Sequence, residues 1–271
     1  MDRWVVTSAN QAFLPGAKAL YHSVKKWCPD VGFGLLYYTD RPVDSDGVRD
    51  VIGQDAVVYV NVPIPESEDF GKKYSSNGMV IGPEMYARML IPGHFPGRAL
   101  YCDADCLVVG DISPLWTMDM KGYPSACVDR GDIGWSNDKT AMASGSILID
   151  CDEWIRRDLP GKCLEYHAKD KPQDNVEGLI SRVHGNDFLR LDPIYQNLAY
   201  YGSLCLADKI LHYAGHKPWI TSTDRWWCNY RALWDAYYAN EGIDRLSAAI
   251  PEQRPYVDMV KNKSNRTTVL C

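Results

Sequence analysis

The stretch Leu100-Tyr101-Cys102-Asp103-Ala104-Asp105-Cys106-Leu107-Val108-Val109 decides how this chain is read. An apolar, strand-like run ends in two carboxylates spaced i, i+2, and a second apolar run follows at once. A carboxylate is costly to leave beside a core unless it is paired or holds a metal. Two hard oxygen donors at a strand end suit Mn2+ or Mg2+, which keep further positions for phosphate oxygens and water. The competing reading is two solvated loop aspartates, and the apolar flanks favour metal.

On the N-terminal side of that stretch, strands alternate with helices, the signature of a mostly parallel sheet. Trp4–Ser8, Gly32–Tyr38 and Ala56–Val60 read as strands. Ala17, Leu20, Tyr21, Val24 and Trp27 recur at helical spacing, which predicts an amphipathic helix over Pro15–Trp27. Asn61–Met79, with its Pro, Gly and Ser residues, has no period and reads as a long loop, and a helix is expected over Pro83–Ile91. On the C-terminal side, Ser125–Asp129 and Gly145–Asp150 read as strands. Asp152–Ile155, Leu159–Ala168, Asp174–Val183 and Trp226–Tyr238 read as helices. No repeat or linker divides the chain, so one domain over 1–260 is expected, with a polar, frayed tail over 261–271.

Composition narrows the class. The 271 residues carry a formal net charge of -6, which argues against a nucleic-acid partner. No apolar stretch is long enough for a transmembrane helix, and the chain opens straight into a short strand with no leader pattern. Nine cysteines are scattered without CxxC or zinc spacing. Cys102, Cys106, Cys127 and Cys151 fall in apolar runs, where free thiols act as small core residues, so a reducing cytoplasm is expected.

A second cluster is Ile210-Leu211-His212-Tyr213-Ala214-Gly215-His216-Lys217-Pro218-Trp219. A strand end presents His212, Gly215 turns the chain, and Lys217 follows. Imidazole could complete a carboxylate-bound metal site, and the lysine could neutralise a phosphate. A core histidine with a solvated lysine is the plainer alternative.

Together these clusters resemble glycosyltransferase family 8, the retaining transferases that include glycogenin and bacterial lipopolysaccharide galactosyltransferases. The resemblance runs in order over roughly residues 3 to 219. Val5-Val6-Thr7-Ser8-Ala9-Asn10-Gln11-Ala12-Phe13 with Pro15-Gly16-Ala17 is similar to the family's opening strand and base-holding loop. Tyr86-Ala87-Arg88-Met89 resembles its Tyr-x-Arg-Leu helix, and Tyr101–Asp105 with Asp111-Ile112 and Leu115-Trp116 its Asp-x-Asp block. Ser144–Asp150 with Trp154, Gln173-Asp174, Asp192-Pro193-Ile194-Tyr195, and the closing His-Tyr-x-Gly with Lys-Pro-Trp match later blocks.

The resemblance implies an α/β GT-A fold, a Rossmann-like, mostly parallel sheet flanked by helices. It implies a retaining hexosyltransferase that moves a sugar from a nucleotide-diphosphate donor, a UDP-sugar in most of the family, to a glycan or other hydroxyl acceptor. Asp103, Asp105 and His212 would hold Mn2+, with Mg2+ as the alternative ion. Thr7, Ser8, Ala9, Asn10, Arg88, Ala104, Ser144, Asp174, Gly215 and Lys217 would contact the donor together with the two aspartates. Gln173 takes the place of the glutamine beyond the reacting carbon, as nucleophile or as a donor-positioning residue, and Asp129 that of an acidic residue at the sugar.

Three departures from the family pattern stand out, the first two at the sugar end. Ala143 stands where the family usually has asparagine, Pro172 where it has aspartate, and the interval from Gly215 to Lys217 is one residue short. Alternatives from other classes are a haloacid-dehalogenase-like phosphatase and a non-catalytic sugar-nucleotide binder. In such phosphatases the Asp-x-Asp strand lies near the chain start, whereas about 100 residues precede it here. Trp227, Tyr230 and Trp234 at helical spacing read as a core stripe, with an acceptor-stacking wall as the other reading, and His94 and His184 carry no signal.

Overall fold

Two parallel strands form the centre, β1 (Arg3–Asn10) and β2 (Gly32–Tyr38), in register from Trp4↔Gly32 to Asn10↔Tyr38. The computed structural model describes residues 2–63, 73–74, 80–81, 86–133, 142–170, 176–185, 187–199, 204–215, 217–219 and 228–247. β2 is covered on both faces, which is why its sequence is continuously apolar and not alternating. Between them runs α1 (Leu14–Trp27), with a proline in its first turn, Lys25 and Lys26 in its last, and Ala17, Leu20 and Val24 turned inward.

The chain continues through α2 (Ser45–Ile52), β3 (Val57–Val60) and a small antiparallel ladder of β4 (Lys73–Tyr74) and β5 (Val80–Ile81). A 3-10 helix over Ala87–Gly93 leads to β6 (Arg98–Cys102) and β7 (Cys106–Val108). Then come α3 (Pro114–Thr117), β8 (Ser125–Asp129) and β9 (Met142–Asp150), followed by α4 (Cys151–Arg156), α5 (Leu159–Asp170) and α6 (Val176–His184). The short strands β10 (Leu189–Arg190), β11 (Asn197–Leu198) and β12 (Ile210–His212) precede α7 (Cys228–Ala239) and α8 (Ile243–Ser247).

The main sheet has the order β10-β8-β9-β6-β1-β2-β3. β9 runs against both of its neighbours, and the other pairs are parallel, so the expected mostly parallel sheet is present. A second sheet, β11-β12-β7, grows from the strand that follows the aspartates. Among the described residues, no helix is long and apolar enough to cross a membrane.

Local expectations needed three corrections. The α-helix expected over Pro83–Ile91 is a 3-10 helix over Ala87–Gly93, and Pro92, which has no N–H to give, breaks any longer ladder. The sequence reading missed α2, whose Asp44 cap accepts from the Gly47 N–H at 2.9 Å. The expected 61–79 loop contains β4; much of that segment lies outside the described residues, as does the 261–271 tail. Cys102, Cys106, Cys127 and Cys151 are free and buried, as the apolar runs implied, and so are Cys28, Cys163 and Cys205.

Candidate active site

β6 ends at Cys102, and Asp103-Ala104-Asp105 makes a tight turn closed by the Cys106 N–H on the Asp103 carbonyl at 2.9 Å. That turn carries the chain out of the main sheet into the small one. The two carboxylates therefore meet different partners.

Asp103 is tied to the main sheet. Its Oδ1 accepts from Arg88 Nη2 at 2.9 Å and from the Tyr101 hydroxyl at 2.6 Å. Arg88 is 1% exposed, and its Nη1 donates to the Ser144 carbonyl at 2.9 Å and to Ser144 Oγ at 2.8 Å. Its guanidinium lies 4.4 Å from the Tyr101 ring centre. Burial pushes the Tyr101 phenol well above its ordinary range, so it remains a donor. Ser8 Oγ is 3.3 Å from the same hydroxyl, which links the end of β1 to this network. Thr7 and Ala9, the neighbours of Ser8 along β1, are buried, and Asn10 Oδ1 accepts from the Ala12 N–H at 2.9 Å, shaping the entry to α1.

Asp105 faces the small sheet. β12 pairs antiparallel with β7, setting His212 opposite Cys106, and the Tyr213 N–H extends the pairing to the Asp105 carbonyl at 2.9 Å. His212 Nε2 then lies 3.3 Å from Asp105 Oδ1 and 3.7 Å from Asp103 Oδ2. Lys217 Nζ forms an ion pair with Asp105 Oδ2 and donates to the Tyr213 carbonyl at 3.3 Å. Burial alone would raise the Asp105 carboxyl, but Lys217 and then His212 outweigh it and hold the group well below the usual carboxylate range. Burial works against charging His212 too, yet Asp105 and, less strongly, Asp103 raise its pKa above the ordinary value.

Two glycines let these parts meet. A Cβ on Gly145 would lie 2.4 Å from both Cε1 and Nδ1 of His212, so β9 can approach the imidazole only as glycine. The Gly145 carbonyl also accepts from the Asp103 N–H at 2.8 Å and from Cys106 Sγ at 3.4 Å. A Cβ on Gly16 would meet the Ala104 carbonyl at 2.3 Å and the Trp219 ring at 2.6 Å. Trp219 in turn donates to the Ala12 carbonyl at 2.8 Å, fastening the closing Lys-Pro-Trp segment to the start of α1. Gly215 adopts φ +93°, the left-handed backbone that its turn requires.

The sequence-predicted residues thus divide. Ser8, Arg88, Asp103, Asp105, Ser144, His212 and Lys217 form one bonded network, with Thr7, Ala9, Asn10, Ala104 and Gly215 on its connecting segments. Asp129 sits at the end of β8, which β9 separates from β6. It caps a turn through the Gly131 N–H at 2.8 Å and lies 3.1 Å from Arg190 Nη2. Gln173 and Asp174 lie outside the described residues, as do Pro172, Trp226 and Trp227. Ala143 is wholly buried in the main core, and Trp234 and Tyr230 pack in the core beneath α7 as the stripe reading expected. His184, which carried no signal, is buried against Trp154 with ring centres 4.9 Å apart.

Sequence reasoning assigned no part in the site to Tyr101 or Gly145, and read Cys106 only as a small core residue. Tyr101 was within reach, because i and i+2 along a strand share a face and Asp103 is two residues on. The other two depend on pairings between distant strands. Asp105, Cys106 and His212 have donor atoms that all lie within 4.8 Å of one another, a group of described residues able to hold a metal ion. Carboxylate and imidazole donors fit Mn2+, with Mg2+ as the more oxygen-seeking alternative, and Lys217 supplies the positive charge beside Asp105.

Known proteins share sequence and fold with this chain. The glycosyltransferase GlyF of Streptococcus pneumoniae serotype 4 is 28% identical over 155 residues, 50% of this chain and 38% of that protein. GlyB of the same organism is 25% identical over 209 residues, 68% of this chain and 49% of that protein. The chain thus spans half or less of the length of these curated relatives. The crystal structure of the galactosyltransferase LgtC in complex with donor and acceptor sugar analogs superposes with a TM-score of 0.69 at 18% identity, covering 88% of this chain and 96% of that one. That likeness is one of fold, and the fold is GT-A. The model of glycosyl transferase family 8 matches residues 4–223, and the chain belongs to that family.

Proposed function

We propose that this glycosyltransferase moves a sugar from a UDP-sugar to a glycan or other hydroxyl acceptor, with retention at the anomeric carbon, and that Asp103, Asp105 and His212 hold Mn2+, or Mg2+ in its place, for the donor. The observation that carries the reading is the β12–β7 register. It brings His212 and Lys217, which lies 112 residues beyond Asp105, to one carboxylate. No stability argument alone calls for a lysine, an imidazole and two aspartates around one buried turn.

A bound divalent cation supplies positive charge to the diphosphate as the glycosidic bond breaks. In this reading Lys217 leaves Asp105 for a phosphate oxygen, a move its flexible stem permits. Arg88 keeps Asp103 oriented and fixes the Ser144 backbone beside the donor. Thr7, Ser8, Ala9 and Asn10 line the base and ribose, with Ala104 and Gly215 letting the backbone approach closely. Gln173 and Asp174 belong at the sugar, Gln173 as nucleophile or as the residue that positions the donor for same-face attack. Asp129, held by Arg190, orients sugar hydroxyls. A reducing, cytoplasmic setting fits the buried free thiols. Family membership speaks against the phosphatase alternative, and an Asp103 nucleophile would have to give up Arg88 and Tyr101.

The test is a panel of UDP-sugars assayed for UDP release with Mn2+ and with EDTA, the product anomer being read by proton NMR. Metal-dependent release from one donor with retained configuration supports the proposal. Release that ignores EDTA, or an inverted product, overturns it.

A further inference from the structure

Cys106 is the first residue of β7 and faces His212 across the β7–β12 pairing, where side chains of opposed residues stand together. Its thiol is 1% exposed and bonds weakly to the Gly145 carbonyl, at 3.4 Å. A small apolar residue would fill the start of this buried strand equally well. Instead a sulfur lies within 4.8 Å of a carboxylate oxygen of Asp105 and a ring nitrogen of His212.

We propose that Cys106 gives this cation site a sulfur donor, so that the site takes a thiophilic divalent ion, Zn2+ or Cd2+, through Asp105, Cys106 and His212 in competition with Mn2+. Mn2+ favours oxygen and binds sulfur poorly, so it uses Asp103, Asp105 and His212 and leaves the thiol protonated. Zn2+ and Cd2+ favour sulfur and nitrogen, and one thiolate, one imidazole and one carboxylate are a sufficient protein set for a tetrahedral ion that keeps one open position. Binding forms a sulfur–metal bond and breaks the S–H bond, the proton passing to solvent with no change of oxidation state. Lys217 holds Asp105 Oδ2, which leaves Oδ1, the oxygen 3.3 Å from His212 Nε2, to face either ion. The two ions thus share Asp105 and His212, and a thiophilic ion at the trio excludes the hard one. The inference rests on the geometry of the trio and shares only its carboxylate and imidazole with the donor-binding reading.

The experiment titrates chelator-stripped full-length protein with 113Cd2+ and follows both the cadmium–thiolate ultraviolet band and the 113Cd resonance. Mn2+ binding is measured separately by the electron paramagnetic resonance of the free ion. The first equivalent should give the thiolate band and a sulfur-shifted resonance. Cys106→Val should lose both and weaken Zn2+ roughly tenfold or more, while Mn2+ affinity stays unchanged. An oxygen-and-nitrogen resonance in the wild type overturns the inference without recourse to any variant, and so does a band that survives in Cys106→Val. If cadmium binds through sulfur while UDP binding ignores metal, the inference stands and the donor-binding reading falls. The reverse result removes the inference alone.

Discussion

Asp103 and Asp105 stand two residues apart, yet one is held by an arginine and a tyrosine of the main-sheet side and the other by a lysine and a histidine from the far end of the chain. Asp103 is bonded to Arg88 and Tyr101, both fully buried side chains of the main-sheet side, and Arg88 is itself fixed to Ser144. None of these groups can turn to solvent. Asp105 meets Lys217 and His212, which arrive from the far end of the chain on and beyond β12. A lysine on a four-carbon stem can exchange one anion for another at little cost, whereas a buried guanidinium bonded to both Ser144 and Asp103 cannot. The turn between β6 and β7 therefore joins a rigid orienting half to an exchangeable half, and a divalent ion would bridge the two.

The largest effect should come from attacking the frame. Arg88→Met takes the guanidinium donor away from the Ser144 carbonyl and leaves the Asp103 carboxylate to the Tyr101 hydroxyl, and breaking a buried pair costs about 3–5 kcal/mol. Denaturant unfolding should show a lower midpoint with unchanged slope. A loss below about 1 kcal/mol, the worth of a surface pair, would mean that the main-sheet half is not a frame.

Next comes the moving half. Lys217→Ala should weaken Mn2+-dependent UDP binding by about 10- to 100-fold, the worth of one hydrogen bond to a charged group. Uridine, which has no phosphate, should bind as before. Equal losses for UDP and uridine would place Lys217 away from the diphosphate.

How much of this could be read beforehand follows the range of each interaction. The main strands and α1 were legible because their burial imposes a local period or a continuous apolar run, and β2 and β8 fall on the expected residues. α2 was not, since its polar Ser45-Asp46-Gly47 start hides the pattern and only Val48 and Ile52 face inward. The carboxylate pair was legible as chemistry. The meeting of Asp105 with His212 came from the family resemblance, because it depends on strand pairing across more than 100 residues and leaves no local trace. Gly145 looks like an ordinary strand glycine until the His212 ring is placed against it.

The sugar side offers a smaller contrast. Ala143 stands where the family usually has asparagine, and its side chain is fully buried in the core. Ala143→Asn should then cost about 1–3 kcal/mol for an ill-partnered buried amide, seen as a lower Tm, with the affinity for UDP unaltered. A shift in donor preference toward UDP-galactose or UDP-glucose without loss of stability would instead place position 143 at the sugar.

The bridge between the halves is tested most directly by calorimetry of UDP against wild-type protein and Asp105→Asn, each with Mn2+ and with EDTA. Asp105→Asn keeps the side-chain shape, removes the charge that faces Lys217 and His212, and turns one acceptor oxygen into an N–H donor. Wild-type binding should require Mn2+, and the variant should bind UDP no better with Mn2+ than with EDTA. Wild-type affinity that is the same in EDTA, or a variant that keeps a full Mn2+ response, would contradict the account.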